Sequence, residues 1–160
     1  MLKADWGHMA PNEDFAWSKA EQADTFSMAN VEPQLPGLNR QGWERLEEDV
    51  RAWALTRGDL QVYVGPIYWG AGSIGKDKLP IPSAFFKVVV DRKTGDVVGF
   101  VMPQKAIPKG DAQPWVTPIA RIEEEAKVTL PLPAHWKEST TAWPADLSGW
   151  RAKHRAACAK

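Results

Sequence analysis

The proline-free run from Arg40 to Arg57, in which Trp43, Leu46, Val50, Trp53 and Leu55 recur at spacings near three and four before Gly58, constrains this chain most. Apolar residues at that spacing share one face of a helix, and the glycine ends it, so residues 40–57 are predicted to form an amphipathic helix. The pattern then changes. LQVYVGPIYW (60–69) is rich in β-branched and aromatic residues and predicts a strand of about five to six residues closing on the Gly65-Pro66 turn. A flexible loop, GAGSIGKDKLPIP, leads to a second strand, AFFKVVVD (84–91), and RKTGD joins that to a third, VVGFVMP (97–103). Thr94-Gly95-Asp96 between two apolar runs is a hairpin signal.

Beyond Pro118, Ile119, Ile122, Glu123 and Ala126 fit a short amphipathic helix that LPLPAHW breaks, and DLSGWRAKHRAACAK at the end predicts a basic helix. Residues 1–40 show no sustained period before Pro33 and read as ordered loop. Helices and strands that do not alternate regularly predict an α+β fold, not a doubly wound parallel sheet. A chain of 160 residues, 44% hydrophobic and 25% charged, is long enough for a single domain, expected to span 1–160.

The twenty basic and twenty acidic side chains cancel, so no global field draws the protein to nucleic acid or to an anionic membrane, and any phosphate binding must be local. The single cysteine, Cys158, excludes an internal disulfide framework and a cysteine metal cluster. His8, His135 and His154 are far apart and form no His-x-x-x-His pair, which argues against zinc. No stretch approaches the roughly 20 apolar residues a membrane span needs, and MLKADWGHMAP lacks the apolar run of a signal peptide. The compartment is not fixed by this. Nine tryptophans, spread from Trp6 to Trp150 without a period, read as packing groups and not as base-stacking platforms.

The most specific signals lie in order along the first third of the chain: Asp5-Trp6-Gly7-His8, then Met28-Ala29-Asn30-Val31-Glu32-Pro33-Gln34, then Leu38-Asn39 and Trp43-Glu44-Arg45-Leu46-Glu47. Downstream stand VYVGPIY and IPSAFFKVVV. This ordered set resembles the DNA/RNA non-specific endonuclease family, whose signature reads Asp-Arg-Gly-His, a segment ending Asn-x-x-Pro-Gln, and Leu-Asn followed by a helix with Trp-x-x-Leu-Glu. The resemblance runs from Asp5 to about Lys127. It implies the ββα-metal nuclease fold, a mixed or antiparallel sheet with flanking helices, and hydrolysis of phosphodiester bonds in DNA and RNA through backbone contacts. It also implies Mg²⁺, with Mn²⁺ as the alternative ion, and it allows a homodimer and an inhibitor protein as partners.

Chemistry explains the residue types. Phosphodiester hydrolysis needs an activated water, a neutraliser for the transition-state charge and a stabilised leaving oxygen. An imidazole, with an ordinary pKa near ~6.5, can take a proton from water at neutral pH, which makes His8 the candidate base. Gly7 lets backbone approach closely there, and Asp5 can fix the local turn. Asn39, at the edge of the helix, is either an N-cap or, as the resemblance implies, the one direct protein ligand to a hydrated magnesium. Glu47, about two helical turns on, can hold a metal-bound water, and Arg51, one turn further, can pair with Glu47 or grip phosphate. The resemblance places Asn30 in the cleft, orienting the histidine or the substrate. Lys87 is a weaker candidate for a phosphate contact, since a lysine alternating outward on a strand is usually solvated.

Two departures stand out. Trp6 occupies the position of the family's arginine, and losing one charged phosphate contact is worth about 2 to 4 kcal/mol, roughly a thirtyfold to thousandfold drop in rate. Arg40 is a candidate replacement. The family carries strands and a further arginine upstream of this motif, so the N-terminal part is expected to be truncated. The competing reading is therefore a weakened or inactive relative that keeps the fold as a remnant or interaction module. An unrelated structural domain would need His8, Asn30, Asn39 and Glu47 to be accidental in both identity and order.

Overall fold

The computed structural model describes residues 3–70, 72–137 and 142–158. Their order is β1 (Asp5–His8), α1 (Lys19–Asp24), β2 (Val31–Gln34), a π-helical turn (Leu38–Trp43), α2 (Glu44–Arg57), β3 (Leu60–Ile67), β4 (Ser73–Ile74), β5 (Leu79–Pro80), β6 (Ala84–Asp91), β7 (Val97–Pro103), α3 (Ile119–Ala126) and α4 (Leu147–Cys158). The architecture is α+β. All the strand pairs are antiparallel: β3, β6 and β7 form a sheet in the order β3-β6-β7, while β1 with β2 and β4 with β5 make separate two-stranded ladders.

β6 is the centre of the fold, and every one of its residues is buried. Alternation along a strand sends successive side chains to opposite faces. Phe85 and Val89 join Val98, Phe100 and Met102 beneath Leu38, Trp43, Leu46 and Trp53 of the π turn and α2. Phe86, Val88 and Val90 pack on the other side with Ile119 and Ile122 of α3. A strand covered on both faces reads as a continuous apolar run, which is why AFFKVVV shows no polar alternation. Trp43 and Trp53 are core residues, in keeping with tryptophans as packing groups, whereas Trp6, Trp17 and Trp69 are exposed.

Three expectations are corrected. Residues 1–40 hold β1, β2 and α1 instead of only loop; the strands are four residues each and β2 contains Pro33, too little for a period to show. The first strand after the helix, β3, was expected to close on Gly65-Pro66 after five to six residues but runs eight residues through that pair, because a proline is tolerated on the outer strand of a sheet. The helix begins with a π turn at Leu38 because the Gly42 amide donates to Ile107 O instead of to its own helix, and Glu44 N–H bonds back to Asn39 O. Only glycine allows that approach: a Cβ at Gly42 would lie 2.5 Å from an Ile107 methyl. The Thr94-Gly95-Asp96 turn does join β6 to β7, with Gly95 at φ 79°. The side chain of Cys158 and the last two residues of the expected terminal helix lie outside the described residues. Among the described residues no helix is long and apolar enough to cross a membrane.

Candidate active site

His8 ends β1, paired with Val31 of β2. The strand is pressed against its surroundings at Gly7, where a Cβ would meet Gln34 Oε1 at 2.1 Å, and Gln34 is wholly buried. Gly7 is thus required by a close approach, as its place before the histidine suggested. The His8 ring meets Phe26 edge-on at 4.7 Å. Its Nε2 is buried and has no hydrogen-bond partner among the described residues. Burial holds the His8 pKa below its ordinary value, since a desolvated imidazole favours its neutral form.

Asn30 secures this arrangement from behind. Its Oδ1 accepts from Ala10 N at 2.9 Å, and its Nδ2 donates to Ala10 O at 3.0 Å and Thr25 O at 2.9 Å. Of the two roles expected for Asn30, orienting the histidine or the substrate, these bonds fit the first. Its amide is already engaged in clamping the segment that follows His8, so it is a positioning residue.

Asn39 lies inside the π turn and caps nothing with its side chain, which removes the N-cap reading. Its Nδ2 donates to Asp5 Oδ2 at 3.0 Å, while Arg40 grips the same carboxylate through Nε at 2.8 Å and Nη2 at 2.6 Å. The Arg40 guanidinium, first, holds the Asp5 pKa below the usual carboxylate range, helped by Asn39. An ionised carboxylate only accepts hydrogen bonds, so it selects the amino end of the Asn39 amide and leaves Oδ1 as the outward acceptor. Asp5 thus fixes a side chain 34 positions away as well as its own strand end.

Glu47 and Arg51 project from successive turns of α2. Burial pushes the Glu47 carboxyl up, opposed by the charges of Lys87 and Arg51. Lys87 Nζ lies 3.7 Å from Glu47 Oε1 and 4.5 Å from the centre of the Trp43 ring. Burial pushes the Lys87 ammonium down, and Glu47 opposes that most. The indole face and the carboxylate both favour the ammonium form of Lys87, against the desolvation that opposes it. The expectation that Lys87 reaches phosphate is corrected: with 1% exposure on a central strand it faces α2, where the odd-numbered residues of β6 point.

Arg51 does not pair with Glu47, one turn back on α2. Its Nε donates to Asp14 Oδ1 at 2.6 Å, and its Nη1 lies 3.1 Å from Glu13 Oε2 but off the line a hydrogen bond needs. α4 braces this corner. Trp150 lies under the guanidinium at 5.5 Å, His154 Nε2 is 3.0 Å from Glu13 Oε1, and Arg151 pairs with Glu48.

Together these groups open on one cleft of about 320 Å³, lined by His8, Asn39, Arg40, Glu47 and Arg51 along with Glu13 and Glu44. Of the residues singled out in the sequence, His8, Asn39, Glu47 and Arg51 meet there, and Asn30 and Lys87 support it from outside. Glu13, Asp14 and Phe26 were not legible beforehand. They sit in or beside short irregular segments, and only the fold brings them to His8 and Arg51.

The donor set suits a hard divalent cation. Asn39 offers one outward oxygen, and Glu47 offers a carboxylate in the same cleft. Among the described residues no group of three or more His, Cys, Asp or Glu gathers as a metal cage. A cation held here would keep most of its water shell, as magnesium does readily.

A model of the family described as DNA/RNA non-specific endonuclease matches residues 3–132. The chain belongs to that family. Human mitochondrial endonuclease G is 32% identical over 136 residues, covering 74% of this chain and 45% of its own length, and the bovine protein is 30% identical over 134 residues with the same coverage. A nuclease from Nostoc sp. is 36% identical over 89 residues, 54% of this chain and 31% of its own. Among solved structures, a crystal structure of the EndoG/EndoGI complex matches with a TM-score of 0.74 at 26% identity, covering 79% of this chain and 58% of that one. The fold is that of the ββα-metal nucleases. The chain spans about half the length of the curated relatives it matches.

Proposed function

We propose that this chain is a metal-assisted endonuclease that hydrolyses phosphodiester bonds of DNA and RNA without strong sequence preference, with His8 as general base. The observation that carries the reading is that His8, its pKa held down by burial, lines one cleft together with Asn39, Glu47 and Arg51. A neutral imidazole with a free ring nitrogen can accept the proton of an attacking water, and every other polar group around it either positions a side chain or carries charge. Asn39 Oδ1 would hold Mg²⁺, or Mn²⁺ in its place, with Glu47 accepting from the ion's water shell. Such an ion, when bound, neutralises charge on the transferring phosphate and the leaving oxygen.

The residues of the chain divide the rest of the work. His8 takes the proton at Nδ1, the ring nitrogen not sealed from solvent, as the water oxygen bonds to phosphorus and the P–O bond to the leaving oxygen breaks, that oxygen taking a proton from solvent. Asp5 keeps the Asn39 amide turned, and Asn30 keeps the backbone after His8 in register. Arg51 contributes positive charge to the cleft while Glu13 and Asp14 hold it in place. Arg40, held on one edge by Asp5 but with a side chain 69% exposed, is a cleft cation open to a phosphate on its other edge. Contacts of this kind read the backbone and not the base edges, which accounts for weak sequence preference. By analogy with the solved EndoG/EndoGI complex, an inhibitor protein is a partner this reading allows.

Trp6 favours a second reading, that of a weakened relative, because it does not line the cleft and supplies no cation there. Nicking of supercoiled plasmid by the purified chain, with Mg²⁺ or with chelator, separates the two. Metal-dependent cutting that disappears in His8→Ala and Asn39→Ala supports the nuclease. A folded wild type that leaves the plasmid intact at high enzyme concentration establishes the inactive relative.

A further inference from the structure

Beside the cleft lies a second cavity of about 180 Å³, walled by Trp6, Pro33, Ile74 and Leu79 and sharing Asp5 with the network that holds Asn39 and Arg40. Trp6 is 53% exposed and Leu79 40% exposed, so an aromatic face and an aliphatic side chain stand open to solvent next to the proposed chemistry. Trp6 is two residues before His8 on the same strand, hence on the same side of it and about 6.6 Å along it. The far wall belongs to the hairpin of β4 and β5, whose turn exposes Lys76 and Lys78. Neither lysine is in an ion pair among the described residues. In a chain whose charges cancel overall, Lys76 and Lys78, with Asp77 between them, leave this turn one charge positive beside an open indole, which suits an anionic ligand with a flat face.

We propose that Trp6 and the β4–β5 hairpin form a subsite that stacks one unpaired nucleobase alongside the cleft while Lys76 and Lys78 meet the adjoining phosphates. This rests on the nuclease reading and deepens it, because it makes single-stranded nucleic acid the favoured substrate. A base in a duplex has both faces covered by its neighbours and cannot enter, whereas an unpaired base offers its face to any indole whatever its sequence. Joined to the cleft through Asp5, the slot would receive the base next to the phosphate under attack.

The test is binding, measured with chelator present so that no cutting occurs. Fluorescein-labelled single-stranded dT12, a 12-base-pair duplex and an abasic 12-mer are titrated with wild type, Trp6→Ala, Trp6→Phe and Lys76→Ala/Lys78→Ala. One stacked base is worth about 1–3 kcal/mol, so Trp6→Ala is expected to weaken dT12 binding roughly 5- to 150-fold. Duplex and abasic binding should not change, and Trp6→Phe should keep most of the affinity. The double lysine variant should weaken dT12 and the abasic strand alike. Equal weakening of dT12, duplex and abasic strand by Trp6→Ala, or no weakening at all, overturns the subsite. Plasmid nicking by wild type keeps the two proposals separate: cutting together with a silent Trp6→Ala removes the subsite alone, while a wild type that neither cuts nor binds removes both.

Discussion

Lys87→Met isolates what the buried ion pair behind the cleft does. Methionine preserves the apolar stem and most of the volume against Trp43, so the change is the loss of one ammonium 3.7 Å from Glu47 Oε1. Removing one partner of a buried pair costs about 3–5 kcal/mol, because the other charge is left desolvated. Glu47 keeps 13% exposure on the cleft and feels the Arg51 charge, which puts the expected loss near the lower end, about 3 kcal/mol. For a chain of this size that is roughly 6 to 12 °C in Tm. The pH dependence supplies the sharper test. Glu47 already has its pKa raised by burial, and without Lys87 it rises further. A carboxyl whose folded pKa exceeds its unfolded one contributes stability that is present below the unfolded value and lost as pH rises through the folded value. The gap between variant and wild type should therefore be wider at pH 8 than at pH 5. Urea unfolding at both pH values measures it, and Glu47→Gln in the Lys87→Met background should recover most of the loss. A deficit below about 1 kcal/mol that is identical at both pH values would refute the argument that Glu47 is held ionised by this lysine.

Asp5→Asn replaces an acceptor-only group by one that donates as well, so the Asn39 amide loses its imposed orientation. Supporting partners of this kind are worth about 10- to 100-fold in metal affinity or activity, and the Mg²⁺ concentration giving half-maximal nicking should rise by that order while Asn39→Ala is worse. Asn30→Ala removes three hydrogen bonds around Ala10 and Thr25, expected to cost about 2–4 kcal/mol in urea unfolding and to lower kcat with KM little changed; a fully stable variant would show that the clamp is dispensable. In pH-rate profiles the acid limb of kcat/KM should fall below the ordinary imidazole value of about 6.5, since burial favours the neutral form that acts as base. A limb at or above that value would mean that His8 gains a charged partner when substrate binds, or that another group is titrating.

Local pattern made much of this protein readable. The apolar spacing from Trp43 to Trp53, the continuous run of β6 and the Thr94-Gly95-Asp96 turn each carry their own physical cause within a few residues, so α2 and the β6–β7 hairpin could be placed from the sequence. The ordered motif likewise marked His8, Asn39 and Glu47 as candidates, and helix spacing added Arg51, because the chemistry asks for those residue types wherever the chain folds. Geometry between distant segments was another matter. Whether Asn39 caps a helix or offers its oxygen to a cleft depends on a carboxylate at Asp5, and whether Lys87 is solvated depends on α2 covering β6. Arg51 answers to Glu13 and Asp14 instead of Glu47, and Trp6 turns from a missing cation into an open aromatic wall only when the hairpin at 73–80 stands opposite it. Sequence alone determined that α2 and the β6–β7 hairpin form and which residue types are candidates for the chemistry, since propensity and reactivity are local. Partnership, burial and hence charge state were decided by tertiary structure, because desolvation and hydrogen bonding depend on what long-range packing brings within a few ångströms.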